Sequence, residues 1–318
     1  MHKTFNVYRP KAGARGLGRV RRERMQVRAV DGVSFSIDRG EMVGYVGPNG
    51  AGKSTTIKML TGILVPSSGY VRVLDLEPTR QRVDLARRIG VVFGQRTQLW
   101  WDLPLHDSFD LLRHIYRVPE ERFRVNLATF TDVLELEAFL ATPVRQLSLG
   151  QRMRGDLAAA LLHDPEILFL DEPTIGLDIV AKARIREFLA ELNRERQTTI
   201  VLTTHDMDDI EQLCKRMMII DHGRVIYDGD LETVRDRFGD ESVLIVDLIE
   251  ASPPIEVEGA RVEKVEGPRQ WLRFRRSEVT AASLIAAVAA QAELRDLTIS
   301  DPDIEDVVRR IYIRGTGR

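Results

Sequence analysis

Apolar and polar positions alternate through VDGVSFSI (residues 30–37), and the next apolar run, MVGYV (42–46), is unbroken; with DRGE between them, these predict two strands around a tight turn. GYVRVL predicts a further strand, RQRVDLARR an amphipathic helix and IGVVF another strand. From about Asp107 to Leu140 the period becomes helical, in SFDLLRHIY, ERFRVNLATF and TDVLELEAFL. Strands return at EILFL, TTIVLTT and RMMIID, alternating with the helices RMRGDLAAALLH and AKARIREFLAELNRER. Alternation at this spacing predicts an α/β fold with a parallel sheet and a helical insertion at about 105–165. DHGRV turns into a short edge strand, and LETVRDRFG is a closing helix. After about Gly239 the pattern changes. SVLIVDL, RVEKV and QWLRFRR are expected strands, TAASLIAAVAAQAE a helix, DLTIS a strand and DPDIEDVVRRIYIR a final helix. The expected organisation is therefore residues 1–238 and a small α+β domain at 239–318.

The chemistry begins directly after MVGYV. GPNGAGKST (Gly47, Pro48, Asn49, Gly50, Ala51, Gly52, Lys53, Ser54, Thr55) has the spacing of a phosphate-binding loop and stands between a strand and a helix, the context that motif requires. A turn this poor in Cβ atoms can point successive N–H groups into one concavity, and the helix N-terminus adds a positive dipole end. Lys53 is then placed to reach the β- and γ-phosphates of a nucleotide, and the Ser54 hydroxyl to take a position on Mg²⁺. EILFLDE (166–172) is an apolar strand ending in two carboxylates, and such a strand delivers its C-terminal residues to the ligand crevice of an open α/β sheet. Asp171 is the expected Mg²⁺ partner and Glu172 the expected general base. In LSLGQ (147–151), Ser148 followed three residues later by Gln151 is a capping box, and Gly150 permits close approach to the capped helix end, which can hold an anion.

Taken in order, GPNGAGKST, the glutamine of VVFGQ, LSLGQ before a helix, LFLDEP, GLD and TTHD resemble the ATP-binding subunit of an ABC transporter over residues 1 to about 238. The resemblance implies a P-loop NTPase fold with a parallel-sheet core, an antiparallel β subdomain and the helical insertion. It also implies two subunits bound head to tail, each ATP lying between one subunit's GPNGAGKST and the other's LSLGQ, so that Ser148 and Gly150 act across the dimer. It makes Gln95 a link between Mg²⁺, the attacking water and the membrane partner, Asp178 a dimer contact, and His205 a contact to the γ-phosphate. The adenine-stacking aromatic is expected in the early strand region, with Phe5 the first candidate and Tyr8 the second. Two features depart from the family pattern. Leu149 stands where the signature has its first glycine, and a chain starting almost at HKTF implies a shortened or missing first strand.

Charge and composition narrow the partners. Over 318 residues, 43% are hydrophobic, 30% are charged and the formal net charge is −2, so nucleic acid is not an expected partner. Residues 1–28 nevertheless hold nine Lys and Arg against Glu23, the composition of a solvated arm or of one lying near anionic headgroups. Cys214, the single cysteine, sits on an apolar helical stripe and is expected to be a buried structural thiol. No stretch approaches the 18 apolar residues of a membrane helix, so any membrane role is borrowed from a partner. Within the resembled family, Gln95 and Ser148 stand only 53 positions apart, too close for the long coiled coil of DNA-repair and chromosome ATPases, and a single phosphate-binding loop separates this chain from the translation-type relatives. The C-terminal extension resembles that of exporter ATPases of the drug-resistance and polysaccharide-export kind. The expectation is an ATPase on the inner face of the cell membrane, working with permease subunits and a second ATP-binding subunit, identical or different. The alternative is a soluble regulatory or DNA-associated ATPase. Trp100 and Trp101, side by side shortly after Gln95, are expected to include an anchor for a membrane subunit.

Overall fold

The computed structural model describes residues 1–10, 22–94, 96–204, 206–238, 241–300 and 304–315. They form two compact units, Met1–Asp228 and Gly229–Arg318.

The first unit opens with an antiparallel ribbon, β1 (His2–Pro10) on β2 (Arg22–Asp31). There follow β3 (Met42–Val46), α1 (Lys53–Leu60), α2 (Arg82–Ala86) and β4 (Ile89–Phe93). The insertion comprises α3 (Leu105–Tyr116), α4 (Glu120–Val133) and α5 (Leu149–Leu161). The chain returns through β5 (Ile167–Asp171), α6 (Ile179–Arg196), β6 (Thr199–Thr203), α7 (Met207–Leu213), β7 (Arg216–Asp221) and β8 (Arg224–Asp230). These strands build one six-stranded sheet in the order β4-β5-β6-β3-β7-β8, parallel from β4 to β7. Every residue of β3 and β6 is buried, which explains why both read as near-continuous apolar runs: helices cover both faces of a parallel sheet.

Two expected strands do not form. Residues 33–37 carry no strand, and 69–74 contribute only the isolated bridge Val73–Leu76. Their alternation instead seats Val33, Val71 and Val73 in the core beneath β3, with Phe35 and Ile37 packed against it. Burial of one side produces a period of two whether or not a ladder of hydrogen bonds accompanies it. Nor is the first strand short, since β1 pairs with β2 over nine residues.

The second unit holds α8 (Leu231–Phe238), β9 (Glu241–Leu248), β10 (Ala260–Glu266), β11 (Arg269–Arg275), α9 (Ala281–Ala289), β12 (Leu294–Ser300) and α10 (Ile304–Gly315). Its antiparallel sheet runs β10-β11-β9-β12. β9 buries alternate residues, so one face, carrying Leu244, Val246, Leu272 and Phe274, packs on Leu284 and Val288 of α9.

Within the first unit, α5 is tied to the segment after β4 by a buried carboxylate. Asp156, 3% exposed, accepts hydrogen bonds from the Thr97 hydroxyl (2.8 Å) and the Gln98 amide (3.1 Å). Burial pushes its pKa up to about 6, against the opposing pull of those two donors and of Arg152. The native carboxyl thus holds its proton more tightly than the unfolded one. Its contribution to stability is present at low pH and is lost as pH rises through about 6. Asp156→Asn keeps the accepting oxygen and removes the titration. In urea unfolding, the stability of the variant relative to the parent is expected to rise by at most about 1.4 kcal/mol per pH unit between about pH 4 and 6, and to level off above that window.

Candidate functional site

After β3 the chain must turn at once into α1, and the turn passes so close to β2 that a Cβ on Gly52 would meet the Ala29 carbonyl oxygen at 2.4 Å. Gly52 also has φ +110°, a conformation that only glycine adopts without strain. As the N-cap of α1 it supplies no side chain, which leaves the first amides of the helix available to an anion. Lys53, the first helical residue, is 6% exposed and folds back to donate to the carbonyls of Gly47 and, at 3.2 Å, Pro48. Burial pulls its pKa down, while the carboxylates of Glu172 and Asp171 push it back up.

Three adjacent strands end in register at this loop, with Phe93 of β4 beside Asp171 of β5 and Asp171 beside Thr203 of β6. The Asp171 carboxylate accepts from the Ser54 hydroxyl at 2.8 Å and from the Thr203 hydroxyl at 2.5 Å, so it joins α1 to the sheet. Glu172 follows with φ +57°, a left-handed conformation that is costly for a residue with a Cβ, and its amide donates to the Thr203 carbonyl at 2.8 Å. Loop and strand ends enclose a cavity of about 390 Å³, within the range of small-molecule sites. All of residues 47–55 except Gly47 and Ala51 line it, together with Asp171 and Glu172. Lys58, Arg96 and Ala29 line it as well, and no motif spacing had marked them. Three cations and two carboxylates around one cavity suit a polyphosphate accompanied by a cation.

Other sequence candidates lie elsewhere in the unit. Ser148 is the N-cap of α5, and its capping box with Gln151 is complete, at 3.2 Å and 2.9 Å. Leu149 is 40% exposed and leans on the loop before α6: a Cβ on Gly176, which has φ +73°, would meet the Leu149 Cδ2 at 2.6 Å. Asp178 caps α6 by accepting from the Ala181 amide at 2.8 Å. Ser148, Gly150, Gln151 and Asp178 do not line the cavity. Phe5 faces Val27 across the ribbon with the Lys3 ammonium 5.3 Å from its ring, and Tyr8 is exposed; among the described residues of the ribbon, Ala29 is the one that reaches the cavity. Gln95 and His205 lie outside the described residues. Trp100 and Trp101 are both partly exposed, and the Arg152 guanidinium lies 5.6 Å from the Trp101 ring. Cys214 is buried, and burial raises its thiol to about 12, far from a reactive thiolate.

Sequence reasoning missed the contacts beneath Glu172. Asp209 of α7 is fully buried, and its Oδ2 accepts from the hydroxyls of Thr174 at 2.6 Å and Thr204 at 3.3 Å. Arg186 of α6 faces its other oxygen at 3.2 Å. Burial pushes the Asp209 carboxyl above its ordinary range, and the Thr174 hydroxyl opposes the shift.

Comparison with known proteins places this geometry. The profile of the ABC transporter family matches residues 30–175. The ABC transporter ATP-binding protein NatA of Bacillus subtilis (strain 168) is 35% identical over 208 residues, covering 65% of this chain and 84% of its own. The Nod factor export ATP-binding protein I of Rhizobium sp. (strain N33) is 33% identical over 300 residues, covering 91% and 92%. A solved dimer of an ATP-binding cassette, in a post-hydrolysis state bound to ADP and Pi, superposes with a TM-score of 0.59 at 28% identity, covering 73% of this chain and 99% of its own. A turn built for phosphates, two carboxylates at the strand ends and this kinship lead to one conclusion: the chain belongs to the ABC transporter family, as an ATP-binding and ATP-hydrolysing subunit.

Proposed function

We propose that the chain powers a membrane exporter, with ATP closing a head-to-tail pair of these subunits and hydrolysis reopening it. The observation that carries this reading is the convergence of Ser54 and Asp171, 2.8 Å apart, on the cavity floor, with Glu172 the next residue on the rim. In the proposed cycle, Lys53 exchanges its carbonyl partners for β- and γ-phosphate oxygens. Lys58 and Arg96 add positive charge around the phosphates. Glu172 takes the proton of the attacking water as it adds in line to the γ-phosphorus and ADP leaves.

The donor set fits Mg²⁺. Ser54 and Asp171 offer two hard oxygens, the kind of donor that holds Mg²⁺ together with substrate phosphates and water. Mg²⁺ held there would supply positive charge that stabilises the transferring phosphoryl group. By resemblance, Gln95 and His205 complete the site, and Ser148, Gly150 and Asp178 serve the partner subunit's nucleotide. Leu149, Ile179 and Val180 are exposed apolar residues at the starts of α5 and α6, apt for a surface that closes on a second subunit.

Export rests on the relatives. Proteins named for Nod factor export and linearmycin resistance match this chain over 91% of its length, C-terminal unit included. No helix among the described residues is long and apolar enough to cross a membrane. In the proposed assembly, permease subunits supply the path and this chain works at the inner face of the membrane. The half-exposed Trp101 is the proposed anchor for a permease.

Two outcomes follow. Glu172→Gln is expected to lower turnover by about 10² to 10⁴-fold while MgATP still binds, and to accumulate an ATP-bound dimer in size-exclusion chromatography; wild-type turnover in the variant sinks the general-base assignment. Trp101→Ala is expected to leave MgATP binding by the isolated chain intact and to weaken co-purification with the permease by tenfold or more, on the order of the loss at an interface hot spot. Unchanged association and transport rule out that role for Trp101.

A further inference from the structure

Glu172 is held in a backbone conformation it would not choose. A residue with a Cβ at φ +57° persists only where its surroundings over-determine it, at a cost of order 1–3 kcal/mol. On the upstream side the restraint is plain, since Glu172 donates to the Thr203 carbonyl at 2.8 Å and Asp171 accepts from the Gly94 amide at 2.8 Å. Downstream, the Ile175 amide reaches the Glu172 carbonyl only at 3.4 Å. The firm tie on that side is the Thr174 hydroxyl, 2.6 Å from Asp209. Asp209 is 0% exposed and forms an ion pair with the Arg186 guanidinium at 3.2 Å; the oxygen that accepts from Thr174 also accepts from Thr204, one residue beyond β6. One buried carboxylate therefore joins the loop after Glu172, the end of β6 and helix α6.

We propose that Asp209 is a positioning residue for hydrolysis: through Thr174 and Thr204 it holds the Glu172 main chain in its left-handed conformation and so aims the carboxylate at the attacking water. The proposal rests on the reading of Glu172 as the base. Asp209 and Thr174 do not line the cavity. Their loss moves Glu172 and leaves the phosphate loop alone, because Lys53 is held by the Gly47 and Pro48 carbonyls and Ser54 by the Asp171 carboxylate, through separate hydrogen bonds. A displacement of about 1 Å at such a group can cost on the order of 10²-fold in rate.

The test uses the full chain with MgATP. Thr174→Val keeps the shape of the side chain and removes the hydroxyl. It is expected to lower kcat by tenfold to 10²-fold with KM and ATP affinity within about twofold of the parent, a split that general loss of structure does not produce. Thr174→Ser restores the hydroxyl and is expected to restore kcat. Placed on Glu172→Gln, Thr174→Val is expected to add less than threefold, because a misaimed base costs nothing once the base is gone. Asp209→Asn, which retains an accepting oxygen, is the second variant should Thr174→Val not fold, and the same kcat-only loss is expected of it. Wild-type kcat in the folded variants, or equal loss in both Glu172 backgrounds, overturns the proposal while Glu172→Gln still fails to turn over. Full turnover by Glu172→Gln alone overturns the parent reading and this proposal with it.

Discussion

The bond network at Asp171 is the constraint on which the rest of the site depends. Its two oxygens take hydroxyls from different directions, Ser54 at the head of α1 and Thr203 at the end of β6. The phosphate loop therefore cannot drift from the sheet without stranding a carboxylate, and a stranded partly buried carboxylate is costly. The parallel sheet makes this possible by ending β4, β5 and β6 in register, so that residues from chain segments far apart in sequence arrive at one level. A crevice at the carboxyl ends of parallel strands is where such sheets bind ligands, and here the topology and the hydrogen bonds specify the same place.

The features legible in the sequence were those whose physics is local. A strand, a glycine-rich turn and a helix start within fifteen residues of one another, and the turn announces itself by the absence of Cβ atoms. The capping box of Ser148 and Gln151 is likewise a three-residue affair, and it forms. The alternating sheet of the C-terminal unit could be read because each strand exposes one face. What escaped was long-range or ambiguous. Asp209 meets Thr174 across 35 residues, and Asp156 meets Thr97 across 59; an aspartate in a helical stretch carries no mark of whether it faces water or a hydroxyl in the core. VSFSI and GYVRVL misled for a different reason, since their period of two records burial of one side and is silent on hydrogen-bond partners.

Two buried carboxylates of the first unit, Asp156 and Asp209, act at different ends of the same machinery. Asp156 fastens α5, which begins at the signature sequence, to the segment that follows β4 and carries Arg96 into the cavity. Asp209 fastens the loop after β5 to the end of β6 and to α6. In each case a carboxyl group taken out of water is compensated by hydroxyl or amide donors, with an ion pair to Arg186 added at Asp209, and each spans elements that an apolar contact alone would leave free to slide.

Leu149 and Gly176 are a matched pair. The leucine occupies space that exists only because residue 176 lacks a side chain, and the positive φ at 176 admits few alternatives in any case. Neither position is then free to vary by itself. A lineage acquiring the glycine more usual at 149 would open a hollow beside the loop, and one enlarging 176 would first have to shrink 149. Evolutionary drift at this joint is expected to proceed in coupled steps, which makes the two positions a single heritable unit, although they stand 27 positions apart in sequence.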